Sequence, residues 1–144
     1  MDHTGQKEQA PRLELVRTRL EKVEARTLEK SHQEIGRLRL NTDWNYKIRD
    51  KTRERVVLQA SCRTWFVPEG YFEIYTEYTL FYRCRDDISM EHLERAMEKL
   101  LFPADEHNAM LVAQITDKMR GSPLVLSPHV KLKDRDQPKE DDEE

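Results

Sequence analysis

The side chains that most often carry out chemistry in proteins are present in this sequence, but they are dispersed. The five histidines lie in polar or loop-like contexts, and neither they nor Cys62 and Cys84 have the spacing of a zinc site. The sequence contains no Gly-rich phosphate-binding loop and no nucleophile elbow. Because no set of titratable residues converges, we expect a protein that is not an enzyme and that has no metal or cofactor site.

The composition indicates one domain with a modest core. Of the 144 residues, 37% are charged and 37% are hydrophobic. No apolar run approaches the roughly 18 residues of a membrane-spanning helix, and the opening MDHTGQKEQAPR lacks the apolar stretch of a secretory signal. Only two cysteines are present, so no disulfide framework is expected. We therefore expect a cytoplasmic protein without membrane insertion.

Charge is distributed unevenly, and this distribution predicts the domain boundaries. Residues 133–144 hold seven acidic and three basic residues, so we expect a disordered acidic tail. Residues 1–11 are polar and are expected to be flexible, which leaves one domain at residues 12–132. The rest of the chain is close to neutral and has no basic stripe, so nucleic-acid binding is not expected.

Hydrophobic and polar residues alternate with a period of two between Gly36 and Cys84, which predicts three strands. The first runs over about 36–48, the second over about 54–67 and the third over about 71–84. The polar run RDKTR at 49–53 and the turn residues Pro68-Glu69-Gly70 separate them. The even-numbered side chains of all three strands are expected to share one buried face.

The Pro-Glu-Gly turn sets a register that can be checked against the residues that it pairs. If Val67 lies opposite Tyr71, every pair on one face is apolar or small, as a buried sheet face requires. The predicted pairs are Phe66 with Phe72, Thr64 with Ile74, Cys62 with Thr76, Ala60 with Tyr78, and Leu58 with Leu80. Treated the same way, the loop at 49–53 predicts Trp44 opposite Leu58 and Tyr46 opposite Val56. Cys62 and Cys84 are not opposite each other, which argues against a disulfide.

The reverse face of this sheet carries more large apolar residues than a fully solvated surface needs. They are Val57, Trp65, Val67, Tyr75 and Phe81, and they lie among charged and polar residues. One interpretation is scattered surface aromatics, which are common singly. The other is a partly apolar face that contacts a subunit or a client protein.

The hydrophobic period becomes helical after Cys84. Ser89 is suited to cap a helix, and Phe102-Pro103 predicts an interruption or a kink. A second helix is predicted from about Ala104 to Arg120, ended by Gly121. The methionines of these helices fit a core better than a binding surface. The segment SPLVLSPHVKL that follows is predicted to be extended and to lie against the body.

The order of these elements resembles the SecB family of protein-export chaperones over roughly residues 36–130. The likeness is carried by Leu101-Phe102-Pro103 leading into a helix, by Gly121, and by the run PLVLSPHV at 123–130. It implies an α+β fold in which a four-stranded antiparallel sheet has C-terminal helices packed on one face. It also implies a strand at about Leu13 to Leu28, where Leu13, Val16, Leu20 and Val23 recur at a spacing that by itself favours a helix.

The sequence departs from the family in ways that bear on partners. The segment between Pro103 and Gly121 is several residues longer, and an acidic tail replaces the last helix. The family docks on the motor protein SecA through acidic residues of the sheet, whereas the nearest first-strand positions here are Lys22 and Arg26. Glu73 and Glu77 are the candidate docking acids, and SecA is a candidate partner.

The function implied by the resemblance is that of an ATP-independent holdase that binds non-native polypeptides, with a role in protein export. The family assembles as dimers of dimers, so we expect a homo-oligomer, which also protects sheet edges. The alternative is a non-catalytic adaptor that binds one folded partner, for example a toxin–antitoxin or phage-related protein. The predicted client-binding residues are Val57, Trp65, Tyr75, Phe81, Leu124 and Leu126.

Overall fold

The computed structural model describes residues 13–27, 39–67, 72–121, 123–126, 130 and 132. Four strands precede two helices along the chain. The strands are β1 (Leu13–Thr27), β2 (Arg39–Lys51), β3 (Arg55–Val67) and β4 (Phe72–Cys84), and the helices are α1 (Met90–Arg95) and α2 (Met97–Arg120). They form one antiparallel sheet in the order β1-β4-β3-β2, with the helices packed on one face. This confirms the predicted fold class. The proposed flexible lead, the acidic tail and the turn at 68–70 lie outside the described residues.

Residues 13–27 form a strand, so the helical period was the wrong signal and the family resemblance was right. The register between β1 and β4 shifts twice, between Leu15 and Arg17 and again between Leu20 and Lys22. Each shift inserts one extra residue, so side chains three positions apart come to lie on one face of the strand. The inner-facing residues therefore recur at intervals of two and three, and Leu13, Leu20 and Val23 among them fall, together with Val16, at a spacing that resembles that of a helix.

The predicted register holds for β3 and β4 and is wrong for β2 and β3. Leu58 lies opposite Leu80 and Ala60 opposite Tyr78, as expected. Trp44, however, lies opposite Cys62, and Tyr46 lies opposite Ala60. The reason is that β2 continues to Lys51, beyond the predicted end of the strand.

Thr52 closes the turn between β2 and β3. Its backbone N–H donates to the carbonyl of Arg55 at 2.8 Å, and its hydroxyl accepts hydrogen bonds from the N–H groups of Glu54 and Arg55 at 3.1 Å each. A register shift between Ile48 and Asp50 adds one residue to β2 before the remaining pairs form. Trp44 therefore lies opposite Cys62 instead of Leu58, an offset of four residues, and because this number is even the predicted core face is preserved.

The inner face of the sheet, which faces the helices, is the core of the molecule. On β4 every second side chain from Phe72 to Cys84 is buried, and so are Val56, Leu58, Ala60 and Cys62 on β3. The apolar ones among them, apart from Phe72 and Ile74, pack with Trp44 of β2, Leu93 of α1, and Met97, Leu101 and Ala104 of α2. Cys62 and Cys84 are both free and buried, as the register predicted.

The helices divide at a different place from the one predicted. Ser89 caps α1, and its hydroxyl accepts a hydrogen bond from the N–H of His92 at 3.1 Å. The break between the helices lies at Ala96, and α2 continues through Pro103. A proline inside a helix removes one backbone donor and crowds the carbonyl four residues earlier, and the packing of the neighbouring Leu101 and Ala104 in the core favours a helix that continues through it. Gly121 ends α2 with φ of 87°, and its N–H donates to the carbonyl of Asp117 at 2.9 Å, as predicted.

Candidate interaction surfaces

The inner face of β1 is largely uncovered by the helices. Leu15, Leu20 and Val23 have the same orientation as the buried residues of β4, yet they are 40%, 43% and 37% exposed. Val16, at the first register shift, is also exposed. We call these four residues the β1 strip. Several exposed apolar residues along one strand mark a contact site more often than isolated apolar residues do. The sequence analysis did not identify this surface, because its argument about which side chains share a face covered only the three strands after Gly36.

The predicted residues on the reverse face lie in two separate places. Val57 and Phe81 are direct partners across β3 and β4, whereas Trp65 lies opposite Glu73, and Tyr75 lies opposite Arg63. Val57 and Trp65 are eight positions apart on one strand, which is about 26 Å at roughly 3.3 Å per residue. The four side chains are half-buried. They therefore form two patches rather than one continuous surface.

A cation lies over each aromatic ring of this face. The guanidinium carbons of Arg17 and Arg19 lie 4.8 and 5.0 Å from the centroid of the Phe81 ring. The guanidinium carbon of Arg63 lies 4.1 Å from the centroid of Trp65. The ammonium nitrogen of Lys22 lies 5.7 Å from that of Tyr75. At exposed sites such contacts are worth about 0.5–1 kcal/mol each. The apolar patches are thus rimmed and partly covered by long, flexible, positively charged side chains.

The first patch is a shallow cleft around Phe81, at the end of the sheet where β1 begins. Its walls are apolar and basic, and they are formed by Val16, Arg17, Glu54, Arg55, Val57, Phe81, Tyr82, Arg83 and Cys84. Arg83 is paired with Glu14 at 3.7 Å, and Arg55 with Asp50 at 2.9 Å. Because Val16 contributes to this cleft, the cleft reaches the β1 strip.

The second patch, around Tyr75 and Trp65, contains the acids that were predicted to dock on SecA. The Glu73 carboxylate accepts hydrogen bonds from Arg63 at 2.7 Å and from Arg26 at 3.2 Å. The Arg63 hydrogen bond and, second, that of Arg26 lower the pKa of Glu73 below its usual range. Glu77 accepts a hydrogen bond from the hydroxyl of Tyr75 at 2.7 Å. Both acids therefore already have partners within the chain.

Leu124 and Leu126, the remaining predicted client-binding residues, lie on the other side of the molecule. They are partly buried against a second, smaller cluster formed by Phe72, Ile74 and Val112. Val125, between them, is 80% exposed. The backbone N–H of Leu124 donates to the hydroxyl of Thr116 at 2.8 Å. These two leucines therefore share no surface with the four residues of the reverse face.

A buried polar cluster joins α2 to the inner face of the sheet. The side-chain oxygen of Asn108 accepts hydrogen bonds from the hydroxyls of Thr76 at 2.8 Å and Tyr78 at 3.1 Å. The amide nitrogen of Asn108 donates to the sulfur of Cys62 at 3.6 Å. Burial raises the pKa of the Cys62 thiol to about 12. A thiol held in its neutral form is a poor nucleophile, so this cluster is suited to positioning the helix rather than to catalysis.

Among the described residues, no three histidine, cysteine or acidic side chains are grouped so that they could hold a metal ion. No helix among those residues is both long enough and apolar enough to cross a membrane.

Comparison with known proteins gives a structural likeness without a sequence match. No protein-family model matches the chain, and no curated protein does. The SecB-like chaperone Rv1957 of Mycobacterium tuberculosis, solved in complex with a ChAD peptide from the HigA1 antitoxin Rv1956, is similar with a TM-score of 0.67. The identity is 17%, over 81% of this chain and 90% of that one.

A second solved structure is similar at a lower level. It is a protein of unknown function from Streptococcus agalactiae, with a TM-score of 0.54 and 13% identity over 82% of this chain and 98% of that one. Together with the sheet order and the helices on one face, these likenesses show that the chain is a divergent protein with the SecB-like fold.

Proposed function

We propose that this protein is a non-catalytic, ATP-independent holdase that binds non-native polypeptides in the cytoplasm. The observation that carries the proposal is the reverse face of the sheet, where half-buried aromatic side chains lie under long cationic side chains. A holdase needs apolar surface that is accessible to a client and a polar rim that keeps the empty protein in solution. The two buried free cysteines fit a reducing compartment.

The cations explain how such a surface can alternate between an empty and an occupied state. Each cation–π contact is weak, and arginine and lysine stems are apolar along most of their length. An incoming apolar side chain can therefore displace the charged group from the ring at small cost, while the stem continues to cover the edge of the patch. Acidic groups of a client can then pair with the displaced guanidinium group of Arg17, whereas Arg19 and Arg63 already pair with Glu21 and Glu73.

The separation of the two patches favours long, unfolded clients over short peptides. About 26 Å between Val57 and Trp65 corresponds to about eight extended residues of a client. When a client is bound at one patch, its contact with the second patch is intramolecular and forms at a high effective concentration. A chain that reaches both patches therefore binds with higher affinity. A folded partner must present both contacts at a fixed distance.

The β1 strip supports the prediction of a homo-oligomer. Leu15, Leu20 and Val23 of this strip are on the opposite face of the sheet from the aromatic rings, so a second copy that contacts them can leave those rings accessible, and Val16 and Val23 also line the edges of the two patches. Assembly as a dimer of dimers stays a prediction. Docking on SecA and a role in export also stay predictions, and docking through Glu73 must break its ion pairs with Arg26 and Arg63.

The alternative function is that of an adaptor dedicated to one partner. The solved complex of Rv1957 with a peptide from one antitoxin favours this alternative, because it shows a protein of this fold with a single named partner. Promiscuity separates the two functions. A holdase binds several unrelated unfolded chains, whereas an adaptor binds its own partner alone.

The experiment is suppression of the aggregation of a reduced, unfolded model protein in the absence of nucleotide. We expect suppression at a near-stoichiometric ratio, with a clear loss in Trp65→Ala and in Phe81→Ala. Phe102→Ala is the matched control, since Phe102 is an exposed aromatic residue of α2, away from the reverse face. If the folded protein suppresses no aggregation of several such substrates, the adaptor function is favoured. If suppression survives both aromatic substitutions, the client surface is not the reverse face.

A further inference from the structure

The chain carries a short extended segment that lies in a groove between α2 and the end of the sheet. We call residues 123–126 the strap. Leu124 and Leu126 face into the groove, and Val125, between them, faces solvent. The floor of the groove is formed by the buried side chains of Phe72 and Ile74 of β4 and Val112 of α2, with Leu40, Ile115 and Met119 at its sides.

The groove is separate from the main core. Phe72, Ile74 and Val112 form their own cluster, distinct from the larger one that holds Leu58, Leu80 and Leu101. Removal of the strap therefore uncovers a local apolar site and leaves the main core in place. The strap is also tethered on both sides, because Gly121 caps α2 before it, and Val130 and Leu132 join the main core after it. A displaced strap thus remains beside its groove.

The hydrogen bond between the strap and Thr116 can be replaced by one from another peptide, and the Thr116 hydroxyl keeps its own acceptor throughout. The hydroxyl of Thr116 is fully buried and donates to the carbonyl of Val112 at 2.7 Å. It accepts its remaining hydrogen bond from the N–H of Leu124. When the strap leaves, the hydroxyl keeps its helical acceptor, and its free lone pair is available to the N–H of another extended peptide.

We propose that this groove is a peptide-binding site in which the strap acts as a resident occupant that a client displaces. The ligand is an extended segment with leucine-sized side chains two positions apart and a free backbone N–H at the first of them, as the seated strap itself demonstrates. The contacts described above support a peptide-binding groove at this place. That its ligand is a client protein depends on the proposed holdase function. The tether makes the strap a competitor, so only clients with well-matched segments occupy the groove.

The test uses a labelled peptide with the sequence of residues 122–130, SPLVLSPHV, added to the full chain. In the variant Leu124→Ser/Leu126→Ser, which empties the groove, we expect the peptide to bind at least tenfold more tightly than to the natural chain. Val125→Ser is the matched control and should leave the peptide affinity unchanged. A peptide isomer with adjacent leucines, SPVLLSPHV, should bind at least tenfold more weakly. Adding Thr116→Val to the emptied variant should weaken binding about fivefold, as expected for one lost hydrogen bond.

The location of the bound peptide is read from backbone NMR shifts, which should concentrate at Phe72, Ile74 and Thr116. Absence of binding to a folded emptied variant, equal binding of both peptides, or shifts on the reverse face would each overturn the proposal. Shifts at the groove that depend on protein concentration without peptide assign the groove to the strap of a second copy, which also overturns it. Peptide binding at the groove together with a failed aggregation assay leaves the groove in place and removes the holdase function.

A second measurement covers the case in which the emptied variant does not fold. In the natural chain, hydrogen exchange of the Leu124 amide reports how often the strap opens. We expect this amide to be protected at least 100-fold less than the slowest amides of β4. Equal protection shows a strap that leaves only on global unfolding, and it overturns the proposal.

Discussion

Strands β4 and β1 are hydrogen-bonded neighbours, yet their inner faces have different surroundings. Every inner side chain of β4 is buried under the helices, whereas Leu15, Leu20 and Val23 of β1 are more than a third exposed. Both strands present apolar residues to the same side of the sheet. The periodicity of a strand thus tells which side chains share a face, and the number and position of the helices decide which of them are covered.

The largest expected effect of a substitution comes from matched truncations on the two strands. Leu80→Ala should lower the free energy of unfolding by about 3 kcal/mol, because it leaves a cavity in a fully buried site. Leu20→Ala should lower it by about 1 kcal/mol or less, because Leu20 already contacts solvent. Urea unfolding of dilute protein measures both values. Equal losses would show that the two inner faces are equally covered in solution.

A second effect tests the polar part of the covered face. Asn108→Ala should lower the free energy of unfolding by about 2 kcal/mol, since it leaves the buried hydroxyls of Thr76 and Tyr78 without their common acceptor. Asn45→Ala, at an exposed position of β2, is the control and should change stability little. A loss below about 0.5 kcal/mol for Asn108→Ala would mean that water or another group satisfies both hydroxyls.

Alkaline pH should also weaken the covered face. The Cys62 thiol has its pKa raised by burial from the usual 9.0 to about 12. Above pH 9 the unfolded chain therefore loses a proton that the folded chain retains, and the free energy of unfolding decreases as the pH rises towards 12. The contribution is complete below pH 9 and falls by about 1.4 kcal/mol per pH unit within that window.

Burial also raises the pKa of Tyr82 to about 12, so this tyrosine adds to the decline above pH 10. Urea unfolding across the window measures the slope, and Cys62→Ala should reduce it. An unchanged slope in Cys62→Ala would assign the decline to other groups.

The smallest expected effect concerns the uncovered face. Leu20→Ser should weaken self-association about fivefold, because it removes one apolar contact from the β1 strip. Sedimentation velocity over a range of concentrations measures it, and Val125→Ser serves as an exposed control outside the strip. If the natural chain is monomeric at all concentrations, or if Leu20→Ser associates as strongly as it does, the strip is not the subunit contact.

The difference between strands also explains how much of the molecule the sequence predicts. The alternation and the short Pro-Glu-Gly turn suffice for β3 and β4, because a tight turn fixes the register directly. Alternation is not sufficient to set the register of β2, since its polar end from Arg49 to Lys51 has the same composition as a loop. It also fails for β1, because its two register shifts change the spacing of the apolar residues.

The candidate sites were predicted only in part for a similar reason. Alternation places Val57, Trp65, Tyr75 and Phe81 on one face, but it does not show that they divide between two ends of the sheet. Leu124 and Leu126 are apolar in an extended segment, and nothing in their spacing distinguishes a client contact from packing within the chain. Asn108 resembles a surface residue of a helix, and only the register of α2 against the sheet identifies it as buried.

The two register shifts of β1 have a further consequence for a protein proposed to handle aggregation-prone chains. A long, regular edge strand is a template on which other strands can add without limit. In β1 the shifts interrupt the ladder at two places, and the charged residues Arg17, Arg19, Lys22, Glu24 and Arg26 follow one another along it. Such an edge resists fibril growth while its apolar inner face remains available to a partner. The register shifts that give β1 a helix-like spacing in the sequence thus also protect its edge against the addition of further strands.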